Sequence, residues 1–165
     1  MITSRRFLYI HIPKCGGHSI DAVLCRYGRV RRGLRHVSAV GLRKEIKFFD
    51  KLYRFSFIRE PFSWLVSGMH YFGYRDMWSY LDSCPGCQCS YLYDGDDCLM
   101  DFIGRVETLQ EDMDTVMRHL GYRRLVVPVL WCGKYKPYAW TDALRDRARE
   151  QFSDDFELYE RLCLK

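Results

Sequence analysis

The segment with the clearest chemistry is a lysine followed by two glycines, in residues 14–19 (KCGGHS). It follows the β-rich stretch at residues 7–12 and precedes a run with helical spacing of apolar residues. Where a strand passes through glycines into a helix, backbone N–H groups and the positive end of the helix dipole converge on one point. Lys14 adds a charge and Ser19 a hydroxyl donor. The segment therefore predicts a phosphate-binding loop, and an ordinary glycine turn with a surface lysine is the alternative.

A second element combines Arg59 with Ser67. Residues 53–58 alternate aromatic and polar side chains and predict a strand, and Pro61 suits the first turn of a following helix. Ser67 then falls on the second turn of that helix. Because open α/β sheets bind ligands at the carboxyl ends of parallel strands, Arg59 and Ser67 are predicted to reach one phosphate there. The alternative is an arginine paired with Glu60 and a serine exposed on the helix.

The order of the predicted elements indicates the fold class. The chain has 165 residues, the size of one domain, and strands alternate with helices along it. We predict an α/β fold, a parallel sheet flanked by helices, in a single domain over residues 1–165. Residues 73–100 lack periodicity and are expected to form an irregular, cysteine-rich excursion. Further expected elements are a short helix at 38–47, an extended segment at 102–106, a helix opened by a capping box at 108–111 and closed by Gly121, an edge strand at 125–131, and a helix from Asp142 to Phe152 capped by Thr141.

Positive charge is concentrated just before His36. The formal net charge is only +5, yet residues 26–35 contain five arginines: Arg26, Arg29, Arg31, Arg32 and Arg35. Such a cluster attracts polyanions, including nucleic acid, sulfated glycans and nucleotide phosphates, or it is simply a solvated loop. No run approaches the roughly 20 apolar residues of a membrane helix. The first residues also lack a signal-peptide pattern, so a soluble protein without a membrane span is expected.

Four cysteines lie close together in the expected excursion: Cys84, Cys87, Cys89 and Cys98. Thiolates at such short spacings can hold zinc, although only one C-x2-C knuckle is present. Disulfides would need an oxidising compartment. The sequence leaves structural zinc, disulfides and free thiols open.

Four blocks resemble, in order, the Golgi-type carbohydrate sulfotransferases, which use 3′-phosphoadenosine 5′-phosphosulfate (PAPS). Residues 7–20 (FLYIHIPKCGGHSI) resemble the 5′-phosphosulfate loop of that family, and residues 55–67 (FSFIREPFSWLVS) resemble its 3′-phosphate element. Residues 101–112 (DFIGRVETLQED) are similar to a third recurrent block, and residues 154–159 (DDFELY) to the usual close. The blocks follow the order of the family across nearly the whole chain.

The resemblance implies a P-loop-like nucleotide-binding sulfotransferase fold and an enzyme that transfers a sulfuryl group from PAPS to a hydroxyl of a carbohydrate or small acceptor. In this scheme Lys14 neutralises the bridging oxygen, and Arg59 with Ser67 holds the 3′-phosphate. The backbone N–H groups expected to hold the 5′-phosphate and sulfuryl oxygens are those of Cys15, Gly16, Gly17, His18 and Ser19. No metal is required.

A general base must accept the proton of the acceptor hydroxyl. Related enzymes carry a histidine before the short helix that precedes the arginine strand, and His36 stands at that place. His70, Glu107 and His11 are the alternatives. Arg105 and Glu107 are expected to orient the acceptor or the nucleotide, or to form a structural ion pair instead.

Several features depart from the family pattern. Cys15 and His18 stand where threonine is common, and family members are longer, with an N-terminal membrane anchor. The resemblance therefore implies a minimal soluble member, cytoplasmic if microbial or viral, or a Golgi-lumenal catalytic domain excised from an anchored enzyme. The expected partners are the nucleotide donor and a hydroxyl-bearing acceptor, with no nucleic acid.

Two other function classes stay open. A small-molecule or nucleotide kinase would also use a phosphate loop on a parallel sheet, but here the lysine precedes the glycines, unlike the ATP-type pattern G-x-x-x-x-G-K-[ST]. A non-catalytic module would keep the nucleotide-binding fold and bind polyanions through the arginines of residues 26–35.

Overall fold

The computed structural model describes residues 1–30, 36–84, 86–130, 133 and 137–164. The strands in this part of the chain are β1 (Ile2–Thr3), β2 (Phe7–Ile10), β3 (Arg29–Val30), β4 (Tyr53–Ile58), β5 (Tyr93–Asp94), β6 (Asp97–Cys98) and β7 (Phe102–Arg105). Five of them form one sheet in the spatial order β3-β1-β2-β4-β7, and β5 pairs with β6 in a separate two-stranded ribbon.

The helices of the described residues are α1 (Gly17–Leu24), α2 (Ala39–Glu45), α3 (Pro61–Phe72), α4 (Met77–Ser83), α5 (Leu109–His119), α6 (Asp142–Gln151) and α7 (Ser153–Cys163). Two short 3₁₀ turns, Phe49–Lys51 and Cys89–Tyr91, supplement them. Within these ranges, no helix combines the length and the apolar character needed to cross a membrane.

The strands β2, β4 and β7 run parallel to one another, whereas β1 is antiparallel to β2. Tyr9 lies opposite Phe55, and Ile58 lies opposite Arg105. The three parallel strands therefore end at the same edge of the sheet, which is where open α/β sheets bind ligands. The predicted α/β class is confirmed, but the sheet is mostly and not wholly parallel, because β1 runs antiparallel to its neighbours.

Apolar side chains alternate between the two faces of the sheet, as the period of a strand requires. On one face Tyr9 and Phe55 pack with apolar residues of α1 and α5. On the other face Leu8, Ile10 and Ile58 join a larger cluster with residues of α2, α3, α4, α6 and α7. Burial of each large apolar side chain stabilises the folded state by roughly 1.5–3 kcal/mol relative to leaving it exposed. Helices therefore cover both faces, as predicted.

Side-chain caps and one glycine explain where several helices begin and end. The Ser38 hydroxyl accepts a hydrogen bond from the N–H of Gly41 and caps α2. Thr141 caps α6 in the same way, by accepting from the N–H of Leu144, which confirms the predicted start of that helix. After α5, Gly121 takes a φ of +69°, which confirms its predicted place as the closing glycine.

The capping box predicted at residues 108–111 is wrong. Thr108 makes no side-chain cap, and its hydroxyl instead donates to Oδ2 of Asp112 at 2.7 Å. The same carboxylate oxygen accepts the N–H of Arg105 at 2.7 Å. Asp112 therefore ties the end of β7 to the start of α5, and this tertiary bond replaces the local one.

The edge strand predicted at residues 125–131 is also wrong over the described residues 125–130. The side chain of Gln110 binds this segment, accepting from the N–H of Val127 at 2.9 Å and donating to the carbonyl of Leu125 at 3.1 Å. Pro128 has no N–H to offer a neighbouring strand. A side-chain amide thus satisfies the backbone where a strand was predicted.

The described residues of 73–100 contain α4, the 3₁₀ turn Cys89–Tyr91 and the strands β5 and β6, where the sequence predicted an irregular excursion. Asp76 caps α4 by accepting from the N–H of Ser79 at 2.9 Å, and Tyr80 is buried against α3. At the contact, a Cβ on Gly68 would overlap the hydroxyl of Tyr80. A helix as short as α4 shows little periodicity, and its burial against α3 stabilises it instead. No sequence pattern predicted α7.

Candidate functional site

The glycine loop (residues 11–17) joins β2 to α1, and its two glycines are needed for different reasons. Gly16 has a φ of +69°, a conformation that costs other residues about 1–2 kcal/mol. At Gly17 the obstacle is steric, because a Cβ there would overlap Nε2 of His11. Lys14 also adopts a positive φ, +63°. The loop is therefore a tight turn, in which Lys14 and Gly16 are partly exposed.

Side chains from other elements hold the glycine loop. The indole N–H of Trp64, on α3, donates to the carbonyl of Pro13 at 2.9 Å. The thiol of Cys15 is fully buried and donates to Oε1 of Gln88 at 3.1 Å. Burial raises the pKa of this thiol well above its ordinary value. Cys15 thus lies wholly in the core under the loop, and its N–H donates to the carbonyl of Ile12 at 3.4 Å.

The helix α1 begins at Gly17 with no side chain capping its first turn. The N–H of Ser19 donates to the carbonyl of Gly16 at 3.0 Å. His18 is exposed, whereas Ser19 is buried and its Oγ accepts from the N–H of Leu130 at 3.1 Å. A hydroxyl that accepts one bond keeps its hydrogen for another, so the predicted donor role of Ser19 is compatible with this contact.

The ammonium of Lys14 lies 4.1 Å from the centre of the Tyr71 ring, a cation–π contact. Tyr71 is 66% exposed, so this contact lies at the surface. Partial burial lowers the pKa of Lys14, and the positive charge of Arg59 lowers it further. Because the second effect requires proximity, Arg59 lies near enough to Lys14 for its charge to act on the ammonium.

Arg59 follows β4, and one side chain binds both of its backbone groups. Oε1 of Gln88 accepts the N–H of Arg59 at 2.8 Å, and Nε2 of Gln88 donates to its carbonyl at 2.9 Å. The alternative pairing of Arg59 with Glu60 is not what the structure shows. The Glu60 carboxylate caps α3, accepting from the N–H groups of Phe62 at 3.1 Å and Ser63 at 2.7 Å.

Ser67 lies on the second turn of α3, and only 4% of it is exposed. The alternative of a serine exposed on the helix is therefore wrong. Between Ser67 and Arg59 the described residues show no direct hydrogen bond, so the structure does not join them.

His36 lies against His11, beside the glycine loop. Its ring is exposed, and Nδ1 is 3.2 Å from the carbonyl oxygen of His11. Because a carbonyl only accepts, this contact places the hydrogen of a neutral His36 ring on Nδ1 and the lone pair on Nε2. His11 is buried under Gly17, with its Nδ1 3.9 Å from Oδ2 of Asp21. Of the two rings, His36 is the one an acceptor can reach.

Arg105 and Glu107 do not form the ion pair that was one alternative for them. The guanidinium of Arg105 donates to the sulfur of Cys163 at 3.0 Å and lies 5.9 Å from the centre of the Tyr159 ring. Glu107 accepts the N–H of Glu60 at 3.0 Å through Oε1. Glu107 thus holds the backbone next to Arg59, while Arg105 points towards α7. The other candidate base, His70, is exposed on the last turn of α3.

The four clustered cysteines are free thiols: Cys84, Cys87, Cys89 and Cys98. No three or more His, Cys, Asp or Glu side chains of the described ranges are grouped to hold a metal ion. Burial raises the pKa of Cys84 and of Cys87. Of the three alternatives left open by the sequence, disulfides among these four cysteines are therefore not what the structure shows.

Two residues that organise the site were missed by sequence reasoning. Gln88 stands between two cysteines in a segment without periodicity, so no pattern marked it. Asp155 accepts the N–H groups of Gln88 and Cys89, both at 2.8 Å, and burial raises the pKa of its carboxyl. Asp155 does fall within the block at residues 154–159, which was the available signal.

Comparison with protein-family models, curated proteins and solved structures finds no match to this chain. Its function is therefore inferred from the chemistry of its own residues.

Proposed function

We propose that this chain transfers a sulfuryl group from PAPS to a hydroxyl of a carbohydrate or small acceptor. Lys14 and Arg59 follow adjacent parallel strands, and the charge of Arg59 lowers the pKa of Lys14. Within the described residues neither forms an ion pair with a carboxylate. Two neighbouring, uncompensated cations beside an uncapped helix start favour a ligand with several negative charges. This pair of cations is the observation that carries the proposal.

A nucleotide with phosphates on both its 5′ and 3′ sides suits such a pair. The glycine loop and the start of α1 are assigned to the 5′-phosphate and sulfuryl oxygens, and Arg59 with Ser67 to the 3′-phosphate. The order of strand, glycine loop, helix, strand and arginine supports a P-loop-like nucleotide-binding sulfotransferase fold as part of the same proposal.

In the proposed reaction the acceptor oxygen attacks sulfur while the bond from sulfur to the bridging oxygen of the 5′-phosphate breaks in line. The electron pair of that bond stays on the phosphate, where Lys14 and the backbone N–H groups at the start of α1 stabilise it. The proton of the acceptor passes to Nε2 of His36. The products are a sulfate ester and 3′-phosphoadenosine 5′-phosphate (PAP).

Calorimetric titration with PAP and with ATP tests the nucleotide assignment. We expect PAP to bind more tightly than ATP, because ATP lacks a 3′-phosphate for Arg59. Lys14→Ala and Arg59→Ala should each weaken PAP binding about 10- to 100-fold, the loss expected for one charge-assisted hydrogen bond. Lys44→Ala, on the exposed side of α2, is the matched control. Tighter binding of ATP would favour the kinase alternative.

Transfer of radiolabelled sulfate from PAPS to a panel of glycans and small alcohols tests the reaction itself. We expect labelled product with at least one hydroxyl-bearing acceptor and none with Lys14→Ala. If the chain binds PAP but transfers sulfate to no acceptor of a broad panel, the result would contradict an enzyme and favour a non-catalytic nucleotide-binding module.

A basic cavity favours one second candidate, a polyanion-binding module. Arg5, Arg26 and Arg29 line a cavity of about 840 Å³ together with Thr3 and other residues of the β1–β2 turn. Among the described residues that line it, none is acidic. Three arginines around one cavity attract a polymer with repeated negative charges.

Binding of heparin to the chain separates this candidate from the first. A module that only binds polyanions would lose heparin affinity on replacement of Arg5, Arg26 and Arg29 by alanine, and would show no sulfate transfer. If heparin affinity is unchanged in the triple variant, the cavity is not a polyanion site.

A further inference from the structure

Gln88 is a buried amide at the junction of the two proposed phosphate-binding elements. It has no exposed surface, and its Oε1 accepts from the thiol of Cys15 at 3.1 Å and from the N–H of Arg59 at 2.8 Å. Its Nε2 donates to the carbonyl of Arg59 at 2.9 Å. One side chain therefore touches both the glycine loop and the residue that follows β4.

The backbone that carries the Gln88 side chain is hydrogen-bonded to α7. The N–H of Gln88 donates to Oδ2 of Asp155 at 2.8 Å, and the N–H of Cys89 donates to Oδ1 at 2.8 Å. Asp155 is also completely buried. These two bonds anchor the backbone at Gln88, from which its side chain reaches Cys15 and Arg59.

We propose that Gln88 is a positioning residue that sets the separation between the glycine loop and Arg59. This inference rests on the proposed function. PAP carries its two phosphates on one rigid sugar, so their spacing is set by the ligand and must be matched by the protein. When two binding groups belong to one ligand, correct spacing makes the second contact effectively intramolecular and multiplies the affinity. Gln88 acts through Cys15 and Arg59 and does not touch the nucleotide.

The chemistry of the amide explains why a glutamine suits this place. An amide offers a carbonyl oxygen with two lone pairs and an NH2 donor at the same end of the side chain. The oxygen serves Cys15 and the N–H of Arg59, while the nitrogen serves the carbonyl of Arg59. A glutamate of the same length would face that carbonyl with a second acceptor, and a methionine would satisfy none of the three groups.

The test compares three ligands: PAP, adenosine 5′-monophosphate and adenosine 3′-monophosphate. In Gln88→Met we expect PAP affinity to fall about 10-fold or more, because the advantage of joining two phosphates is lost. Each monophosphate uses one element alone, so its affinity should fall less than about 3-fold by the same reasoning. Thermal unfolding of each variant shows that it is folded at the temperature of the titrations.

Matched variants separate positioning from general damage. Cys15→Ala removes the donor that joins the loop to Gln88, and Cys15→Ser keeps a donor there, so Cys15→Ser should retain more PAP affinity than Cys15→Ala. This pair also decides the matter if Gln88→Met does not fold. Gln151→Met is the control, because the amide of Gln151 binds the carbonyl of Leu81 between α6 and α4, away from the glycine loop.

The outcomes are distinct. Unchanged PAP affinity in folded Gln88→Met, or a parallel loss for all three ligands, would overturn the positioning role while leaving the proposed function standing. Equal PAP affinity in Cys15→Ala and Cys15→Ser would overturn it as well. A wild-type chain that does not bind PAP would overturn the proposed function and this inference with it.

Discussion

At the scale of single residues, the site depends on groups whose chemistry is set by immediate neighbours. Lys14 carries its charge beside Arg59, and His36 has the proton of its neutral ring directed to Nδ1 by the carbonyl of His11. The two glycines of the loop meet different constraints, one of backbone conformation and one of space. Each of these features predicts a different response to substitution.

The glycines should not be equivalent. Gly16→Ala is expected to lower the free energy of unfolding by about 1–2 kcal/mol, because only its positive φ opposes a side chain. Gly17→Ala is expected to lower the free energy of unfolding by more than Gly16→Ala does, and to weaken PAP binding, because its Cβ displaces the ring of His11. Urea unfolding and PAP titration measure the two effects. Similar costs for the two variants would contradict the steric role assigned to His11.

The affinity for PAP should depend on the charge of Lys14. Burial lowers the pKa of Lys14 below its ordinary value of 10.5. A bound phosphate favours the charged ammonium, so affinity is fully present below the pKa of the free protein and falls as pH rises through it. Titrations from about pH 7 to about pH 10 measure the decline. Lys14→Arg should move it to higher pH, since a guanidinium keeps its proton there. If the pH profile of Lys14→Arg equals that of the wild type, Lys14 is not the group whose titration lowers the affinity.

His36 should matter for turnover and not for nucleotide binding. His36→Ala is expected to lower kcat by roughly 100- to 10,000-fold, the usual range for loss of a general base. The affinity for PAP should stay near the wild-type value, because the base acts on the acceptor. His70→Ala, at the exposed end of α3, is the matched comparison. A larger loss of kcat in His70→Ala would transfer the role of base to His70.

At the scale of elements, a few buried polar side chains join units that are distant in the chain. Trp64 ties α3 to the glycine loop across 51 residues of chain. Asp155 ties α7 to the 3₁₀ turn Cys89–Tyr91. Because such groups are withdrawn from water, loss of one partner leaves the other unsatisfied at high cost.

Asp155 should be the most sensitive of these ties. Asp155→Ala leaves the N–H groups of Gln88 and Cys89 without their acceptor, at about 1–3 kcal/mol for each buried donor. Urea unfolding should show this loss in the free energy of unfolding. Asp154→Ala, at the exposed neighbouring position, is the control and should change stability by less than about 0.5 kcal/mol. A small effect at Asp155 would mean that water replaces the carboxylate.

At the scale of the whole molecule, the sheet separates two apolar clusters, and one of these clusters contains buried thiols. Cys15 and Cys89 are buried, whereas Cys25, Cys98 and Cys163 are exposed. Burial also raises the pKa of the Cys15 and Cys89 thiols, which leaves little reactive thiolate.

Labelling of the native chain with iodoacetamide should follow this division. We expect the exposed Cys25, Cys98 and Cys163 to be modified first, and Cys15 and Cys89 to react only after denaturation. Mass mapping of the labelled peptides identifies each site. Rapid labelling of native Cys15 would contradict its place in the core under the glycine loop.

The sequence alone determined the parts of the fold that depend on local chemistry. The strand β2, the glycine loop and the start of α1 follow from β-rich residues, two glycines and a helical pattern within about 20 residues. The same holds for β4 with α3, for the cap at Thr141 and for the closing glycine at position 121. The predicted roles of Lys14, Arg59 and His36 in sulfate transfer stay predictions.

Only the tertiary structure decided how these parts are joined. The pairing of β4 with β7 was not predicted, and the bond from Cys15 to Gln88 spans 73 residues of chain. Gln88 and Asp155 are hydrogen-bonded although 67 residues of chain separate them. Gln88 lies in a segment without periodicity, and the only local feature at Asp155 is its acidic neighbour Asp154. A buried amide or carboxylate needs hydrogen-bond partners, and here those partners lie far away in the chain. The spacing of residues in the local sequence therefore does not predict them. The lysine–glycine loop was therefore readable from the sequence, whereas the contacts that hold it beside Arg59 were not.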